Sequence, residues 1–312
     1  MAFHAQLAEV RAPRYARSPC DILDGIIHAH HLCAEWRMVL PPKPDISNYT
    51  SVAPTLTGVE HSEAQRNRYN TNAKGLHLSA LEHEFFATLP DVLQAAASNY
   101  NRRYGVRLFS GQGEKPELHL LTKTFQSAIN KEFRYNVLWN KHWPDPPSFD
   151  WNDERKWVEP NCWHEIFNDL VRGTLVCRYV DGPEFVAQAI AGHADRLGLT
   201  HRYSSRQGDE GYYAYHFYVY LEAQILGEDF IAIPITFQVE IQLTTQLQEA
   251  MRELTQKLYE DQRVTEPDDH GKWKWEFRTN RFRASYLGHT LHLLESVVLE
   301  VRDAAVSGEI EE

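Results

Sequence analysis

Two segments in the second half of the chain alternate between apolar and polar residues with the period of a β-strand. In residues 233–241 every second residue is Ile, Phe or Val. The polar positions of this segment and the residue after it are Thr236, Gln238, Glu240 and Gln242. In residues 211–216 the same period places Tyr212 and His216 on one face. Successive side chains of a strand point to opposite faces, so the pattern predicts a half-buried sheet with a polar face suited to a nucleotide.

From about residue 118 the pattern indicates helices mixed with strands. Strands are predicted near 174–180, 199–206, 212–225 and 229–243, and helices at 121–134, 183–197 and 245–260. A last amphipathic helix carries apolar residues at steps of three and four from Ala284 to Val301. The chain is therefore expected to have an α/β (α+β) fold in this part.

The first part of the chain has a different pattern. Residues 40–75 are rich in Pro, Asn, Ser and Thr without periodicity and predict a long loop. Helices are predicted near 79–88 and from Pro90 to Gly105. We divide the chain into a mostly helical extension at 1–108, a core at 109–262, and a basic and aromatic segment with the last helix at 263–312.

Composition narrows the class of protein. The 312 residues carry a formal net charge of -11, which argues against broad non-specific binding to nucleic acid or anionic membranes. The four cysteines have no CxxC spacing, so a zinc cage is not expected. No apolar run reaches the length of a membrane span, and no signal-peptide pattern opens the chain. We expect a cytoplasmic protein that does not associate with membranes.

The predicted helix at 121–134 carries candidate phosphate ligands. Lys123, Ser127, Lys131 and Arg134 follow one another at steps of four, four and three, which places them on one stripe. Three cations and a hydroxyl on one face suit a polyphosphate, whose charge needs several donors. A solvated helix face has the same pattern, so the stripe alone is a weak signal.

Two carboxylates lie at predicted strands. Asp169 comes just before the strand near 174–180, and a carboxylate there suits Mg²⁺, which binds one or two protein carboxylates together with phosphate oxygens. Glu240 is the candidate second ligand and a candidate base for an attacking hydroxyl. Tyr212 is a candidate to stack on a base, and His216 to reach a phosphate or ribose oxygen. Turn capping for Asp169 and packing for Tyr212 and His216 are the structural alternatives.

In chain order these features are a basic helix, an Asp at a strand, the segment Gly211–His216, the strand with Glu240 and Gln242, and a Lys-bearing helix. This order resembles the synthetase domain of the RelA/SpoT family, ATP-dependent pyrophosphokinases that make (p)ppGpp. The resemblance covers about residues 115–262 and is greatest to stand-alone small alarmone synthetases and their toxic relatives. It implies a mixed, largely antiparallel sheet of the nucleotidyltransferase type, flanked by helices.

The resemblance also implies roles for individual residues. It assigns Lys123, Ser127, Lys131 and Arg134 to the ATP phosphates, and Asp169 and Glu240 to Mg²⁺ and catalysis. It assigns Tyr212, His216, Gln242 and Lys257 to the acceptor. Leu121 and Tyr213 depart from the pattern, since the family usually carries arginine at both positions.

Three functions follow as hypotheses. The first is transfer of pyrophosphate from ATP to GDP, GTP or a related nucleotide. The second is a toxin that modifies the 3′ end of tRNA, favoured by the cations and aromatic residues interleaved at 271–283. Residues 1–108 would then be a regulatory or neutralising element, by analogy with fused toxin–antitoxin pairs. The third is an inactive nucleotide-binding module. A homo-oligomer is compatible with each.

Overall fold

The computed structural model describes residues 42–111, 116, 118–148, 155–208, 211–263 and 269–308, and the side chains at 256–271 are outside this description. The helices, in chain order, are α1 (Ile46–Thr57), α2 (Glu63–Glu82), α3 (Glu84–Tyr104), α4 (Phe125–Phe133), α5 (Trp163–Ile166), α6 (Gly182–Arg196), α7 (Gln246–Arg263) and α8 (Asn280–Ser307). The strands are β1 (Leu121–Thr122), β2 (Val171–Cys177), β3 (His201–Gln207), β4 (Tyr213–Leu226) and β5 (Ala232–Thr245). None of the helices among these residues is both long and apolar enough to cross a bilayer.

The predicted loop at 40–75 is wrong over most of its length, because α1 and the first half of α2 occupy it. Each helix buries few residues, only Tyr49 and Ala53 in α1. Pro54 and most of the Asn, Ser and Thr residues that suggested a loop lie within these two helices. The helices predicted near 79–88 and from Pro90 have other bounds, because α2 ends at Glu82 and α3 begins at Glu84 with Pro90 inside it. The predicted end is correct, since Gly105 follows α3 in the left-handed conformation that glycine favours. Residues 1–41 lie outside the description.

The five strands form one sheet in the order β1-β2-β5-β4-β3. Only β2 and β5 run parallel, and the other three pairs are antiparallel. The prediction of a mixed, largely antiparallel sheet flanked by helices is confirmed. The long hairpin of β4 and β5 brings the two polar segments of the sequence side by side, with His216 opposite Gln242 and Tyr218 opposite Glu240.

One face of the sheet is the hydrophobic core. Phe217 and Val219 of β4, with Val239 and Ile241 of β5, are fully buried on this face. α2, α3 and α6 pack in the same core, and the ring of Phe85 in α3 stacks on Phe217 with 6.4 Å between centroids. The alternation in β5 predicted this apolar face correctly. The opposite face carries the polar residues.

The prediction of a helix at 121–134 needs a correction at its beginning. Leu121 and Thr122 pair with β2, and α4 begins only at Phe125 because the Thr124 side chain accepts the N–H of Ser127. Lys123 thus lies between strand and helix, and its N–H donates to the Leu170 carbonyl at 2.8 Å. This bond brings Lys123 next to Asp169.

α8 contacts the sheet through a pair of glycines. A Cβ on Gly288 would fall on the carbonyl oxygen of Gly211, the residue two positions before β4, so the two backbones touch. Beside this contact the ring of His292 stacks on Tyr213 at 3.7 Å between centroids. Near the end of α8, Arg302 forms a bidentate pair with Asp181 at 3.0 and 3.1 Å. α8 is therefore fixed at two points.

Candidate active site

The polar face of the sheet carries an aligned row of charged and phenolic side chains from four strands. Directly paired positions across the sheet share a face. The row consists of Arg202 of β3, Tyr218 of β4, Glu240 of β5 and Arg172 of β2. The guanidinium of Arg202 lies over the Tyr218 ring, 4.0 Å from its centroid. Glu240 thus lies between Tyr218 and Arg172 in this row.

Glu240 is 4 % exposed, and both of its oxygens accept hydrogen bonds. Oε1 accepts from His216 Nδ1 at 2.7 Å and from the Tyr218 hydroxyl at 2.9 Å. Oε2 accepts from Gln242 Nε2 at 2.9 Å. The predicted convergence of carboxylate, amide and imidazole on one face is present, and Tyr218 belongs to the same group.

His216 connects Glu240 to Tyr212. An ionised carboxylate can only accept, so Nδ1 of His216 carries the hydrogen of the bond to Glu240. In the neutral imidazole Nε2 is then the acceptor, and the Tyr212 hydroxyl lies 3.0 Å from it. The prediction that Tyr212 and His216 share a face is consistent with this contact. The three side chains form a continuous chain of hydrogen bonds from a buried carboxylate to the phenol before β4.

Asp169 lies two residues before β2 and is held by two buried lysines. Lys123 Nζ donates to Oδ2 at 2.6 Å, and Lys131 Nζ donates to Oδ1 at 2.7 Å. Lys131 also donates to Asn168 Oδ1 at 2.8 Å. The hydroxyl of Tyr69 in α2 donates to the Lys123 carbonyl at 2.6 Å, so α2 supports this part of the site.

The pKa values of Asp169, Lys123 and Lys131 are all shifted by burial and by their mutual charges. Burial alone raises the pKa of Asp169, but the charges of Lys131 and Lys123 outweigh it and hold that pKa well below its usual range. Burial lowers the pKa of Lys123 to about 8 against the opposing attraction of Asp169, and the pKa of Lys131 is lowered for the same reason. The cluster thus contains two ammonium groups and one carboxylate, and burial lowers the pKa of both lysines.

The pKa of Glu240 is also shifted. Burial raises the pKa of this carboxyl, but the hydrogen bond and charge interaction with His216 outweigh it, so the pKa lies below the ordinary value. The negative charge of Asp169 acts in the opposite direction. The two carboxylates are thus close enough to influence each other and are both ionised at neutral pH.

The other predicted phosphate ligands lie on or next to α4. Ser127 is exposed in the first turn, where its Oγ accepts from the Thr124 hydroxyl at 2.9 Å. Arg134 follows the end of α4, half-buried, with its guanidinium 5.1 Å from the ring centroid of Trp139. Lys123 and Lys131 meet at Asp169, whereas Ser127 lies on the exposed side of α4 and Arg134 packs on Trp139. Lys257 lies in the part of α7 whose side chains are outside the description.

Carboxylate oxygens at this site are compatible with Mg²⁺ only if phosphate completes the shell. Asp169 and Glu240 each keep unused lone pairs, since Asp169 accepts two bonds and Glu240 three. Within the described residues no group of three or more His, Cys, Asp or Glu could hold a metal. A pair of carboxylates suits a metal that arrives with a polyphosphate and keeps water ligands.

Four residues of the site were absent from the sequence prediction: Arg172 of β2, Tyr218 of β4, and Arg202 and Arg206 of β3. Arg202 and Arg206 of β3 lie on the polar face and both interact with Tyr218. Arg202 lies over the Tyr218 ring, and Arg206 lowers the pKa of Tyr218 through a hydrogen bond and its charge. Burial and the bond to Glu240 have the larger, opposite effect, so the pKa of Tyr218 is raised. In the sequence, Arg202, Ser204 and Arg206 occupy every second position of a predicted strand. This period could have indicated that both arginines lie on one polar face.

The fold and site define a mixed-sheet α/β protein with a cationic, carboxylate-bearing polar face. Similar solved structures include small alarmone synthetase 2 from Bacillus subtilis, with a TM-score of 0.43 and 14% identity over 75% of this chain and 97% of that one. Small alarmone synthetase 1 from the same organism, bound to its product pppGpp, has a TM-score of 0.43 and 16% identity over 78% and 100%. A GTP pyrophosphokinase family protein from Streptococcus pneumoniae has a TM-score of 0.41 and 14% identity, over 80% of this chain and 98% of that one. No protein-family model and no curated protein sequence matches the chain.

Proposed function

We propose that this protein is an ATP-dependent pyrophosphokinase that transfers the β,γ-pyrophosphate of ATP to the 3′-hydroxyl of GDP or GTP. The observation that carries the proposal is the pair of buried lysines on Asp169, close to the chain of hydrogen bonds from Glu240 to Tyr212. Two lysines beside an ionised carboxylate suit a polyphosphate donor and a hydroxyl nucleophile. The order of the motifs in the sequence supports the same reaction.

On the donor side, Lys123 and Lys131 would neutralise phosphate oxygens of ATP, with Arg134 and Ser127 as further ligands. Asp169 holds both ammonium groups in place, which limits the reorganisation needed when the transition state forms. Mg²⁺ held by Asp169 and Glu240 would offset negative charge on the transferred group.

In the transfer step the 3′-hydroxyl oxygen attacks the β-phosphorus of ATP. The bond from that phosphorus to the oxygen bridging the α- and β-phosphates breaks, and AMP leaves with that oxygen. The hydroxyl proton goes to Glu240, whose lowered pKa keeps it ionised and ready to accept. The products are AMP and a nucleotide that carries a 3′-pyrophosphate.

On the acceptor side, Tyr212 would stack on the base, and His216 and Gln242 would border the ribose and phosphates. An aromatic face stacks on any nucleobase, so stacking alone does not select guanine. Lys257 is a further acceptor ligand in this proposal, on the basis of the family resemblance.

The test is an assay with γ-labelled ATP and Mg²⁺, in which GDP, GTP, AMP, ADP, ATP and deacylated tRNA are offered in parallel. We expect label on the guanosine nucleotides, and loss of transfer when Mg²⁺ is removed by a chelator. Asp169→Ala should reduce the rate by on the order of 10³-fold or more.

Glu228→Gln is the matched control. Like Asp169, Glu228 is a carboxylate paired with a basic side chain, Arg68 at 3.1 Å, but it is exposed in the turn between β4 and β5. This variant should keep full activity. Absence of label on every acceptor would contradict the proposal and favour an inactive nucleotide-binding module.

A second acceptor, the 3′ end of tRNA, is favoured by one observation. Trp275 and Phe277, just before α8, are 85 % and 63 % exposed, and Arg278 lies 5.6 Å from the Phe277 ring centroid. Exposed aromatic rings among cations suit single-stranded RNA.

If tRNA is the acceptor, Trp275→Ala with Phe277→Ala should reduce transfer to tRNA at least tenfold, since stacking contributes about 1–3 kcal/mol per base. Transfer of label to tRNA alone would contradict GDP and GTP as acceptors.

A further inference from the structure

Both residues that flank Tyr212 in the chain are fixed by α8. On one side the backbone of Gly211 touches the backbone of Gly288. On the other side Tyr213 contacts two histidines of the same helix. Successive side chains of an extended segment point in opposite directions, so α8 holds Tyr213 from the side opposite to the Tyr212 ring. The backbone of Tyr212 is thus held at both ends.

The two histidines hold Tyr213 through different contacts. The Tyr213 hydroxyl lies 2.7 Å from His289 Nδ1, and the two rings meet edge to face with 5.7 Å between centroids. His292 stacks on the other part of the ring, with 3.7 Å between centroids and 10° between planes. The hydrogen bond fixes the end of the Tyr213 side chain, and the stacking fixes the plane of its ring. Together they restrict Tyr213 to one orientation.

This turn of α8 is itself anchored. His292 Nδ1 lies 3.6 Å from Oε2 of Glu295, which is 5 % exposed. Gln248 of α7 donates through Nε2 to the Gly288 carbonyl at 3.4 Å. α7 follows β5 directly, and β5 carries Glu240. The histidines are therefore connected through α7 to the strand that carries the catalytic carboxylate.

We propose, on the basis of the proposed assignment of Tyr212 to the acceptor base, that His289 and His292 are positioning residues of the acceptor subsite. They hold Tyr213 so that the neighbouring Tyr212 presents its ring to the base. The Tyr212 hydroxyl lies 3.0 Å from His216 Nε2, so His216 fixes the ring at its tip while α8 fixes its backbone. A ring ordered before binding loses less conformational freedom when the base stacks on it. Loss of either histidine should therefore weaken acceptor binding.

The test is steady-state transfer by the full chain, with the acceptor varied at saturating γ-labelled ATP and Mg²⁺. His289→Leu and His292→Ala should each raise KM for GDP about tenfold, equivalent to about 1.4 kcal/mol. The kcat and the KM for ATP should stay within about twofold of wild type, the pattern of lost binding rather than lost catalysis. Thr290→Ala is the matched control, since Thr290 follows His289 on α8 but is exposed. Its KM for GDP should be that of wild type.

Two further variants separate positioning from general loss of packing. His289→Asn keeps a hydrogen-bonding group near the position of Nδ1 and should recover most of the affinity for GDP. Tyr213→Phe lacks the hydroxyl, so adding His289→Leu to it should raise KM less than His289→Leu does in the wild-type background. Hydrogen exchange gives a readout that needs no activity, because the amides of 211–213 should exchange faster in His292→Ala than in Thr290→Ala.

The outcomes distinguish this role from the proposed function. An active wild type whose KM for GDP is unchanged in both histidine variants would overturn the positioning role and leave the proposed function in place. An equal rise of KM for ATP and GDP would also overturn it, since the effect would then not be confined to the acceptor. A wild type that transfers label to no nucleotide would contradict the proposed function, and the positioning role with it.

Discussion

Lys131 and Glu132 are neighbours on α4, both buried, yet they belong to different kinds of cluster. Lys131 faces Asp169 at the candidate site. Glu132 faces away and accepts bonds from the Tyr49 hydroxyl at 2.7 Å and from Trp163 Nε1 at 2.9 Å, with His61 Nε2 at 3.1 Å. The second cluster joins α1, α4 and α5 and has no cation of fixed charge.

The difference shows that burial of a carboxylate does not by itself indicate function. Glu132 is fully enclosed by aromatic donors that bind the helices together. Asp169 has two buried lysine ammonium groups as partners, and Glu240 shares its polar face with arginines. What marks the site is a group of cationic side chains around two ionised carboxylates.

Among the substitutions that separate these two clusters, Lys131→Met should have the largest effect. Loss of this cation removes charge stabilisation from the transferring phosphates, and we expect transfer to fall by about 10²- to 10³-fold. The measurement is the rate with γ-labelled ATP, together with a thermal unfolding curve. A rate within threefold of wild type would place Lys131 in the structural class with Glu132.

Glu132→Ala should act on stability instead. Three buried donors would lose their acceptor, which should lower the free energy of unfolding by about 3 kcal/mol. Urea unfolding measures this change in free energy. Glu132→Gln keeps a hydrogen-bond acceptor, so its free energy of unfolding should fall less than that of Glu132→Ala. The rate per folded molecule should stay within a few-fold of wild type. A loss as large as that of Lys131→Met would erase the distinction between the clusters.

Gly288→Ala tests the support of the site by α8. The added Cβ meets the backbone of Gly211, so the helix must shift. We expect the free energy of unfolding, measured by urea titration, to fall by about 1–3 kcal/mol. Gly192→Ala is the matched control, a mid-helix glycine of α6 whose added Cβ would have only Arg196 nearby, at 3.9 Å. The free energy of unfolding of this control should rise by up to about 1 kcal/mol, because alanine has a higher helix propensity than glycine. Equal losses in both variants would show that the close approach is unimportant.

The smallest effect is a dependence of ATP affinity on pH. Lys123 is charged below its pKa of about 8 and neutral above it, so affinity should fall as pH rises through this value. The loss between pH 7 and pH 9.5 should be about tenfold, or ~1.4 kcal/mol, by titration calorimetry. Lys123→Arg stays charged and should not show this decline. An unchanged affinity in the wild type would mean that Lys123 does not contact the phosphates.

The parts of the structure that were predicted depend on local patterns. The alternation in 233–241 is a property of one strand, so it identified the polar face and Glu240 without knowledge of the rest. The grouping of Tyr212 with His216 has the same origin. The proximity of Lys123 to Asp169 could not come from periodicity, since Lys123 lies outside the helix. It depends on the pairing of β1 with β2, a contact between distant residues.

The first two helices were missed for a related reason. α2 buries only Ala73, Leu76 and Ala80, so its apolar period is too sparse to stand out. α1 contains Pro54, which favours a turn in isolation. Tyr49 compensates by packing on Phe133 and bonding Glu132. Tertiary contacts stabilise helices whose own residues predict little.

The contact of Gly211 with Gly288 has a consequence for synthesis on the ribosome. All five strands precede α8 in the chain, so the sheet can pair before the last helix exists. The turn that leads into Tyr212 acquires its packing partner only after Gly288 and Arg302 have been translated. The strands of the polar face are thus synthesised first, and the helix that packs on the segment before its outermost aromatic residue is synthesised last.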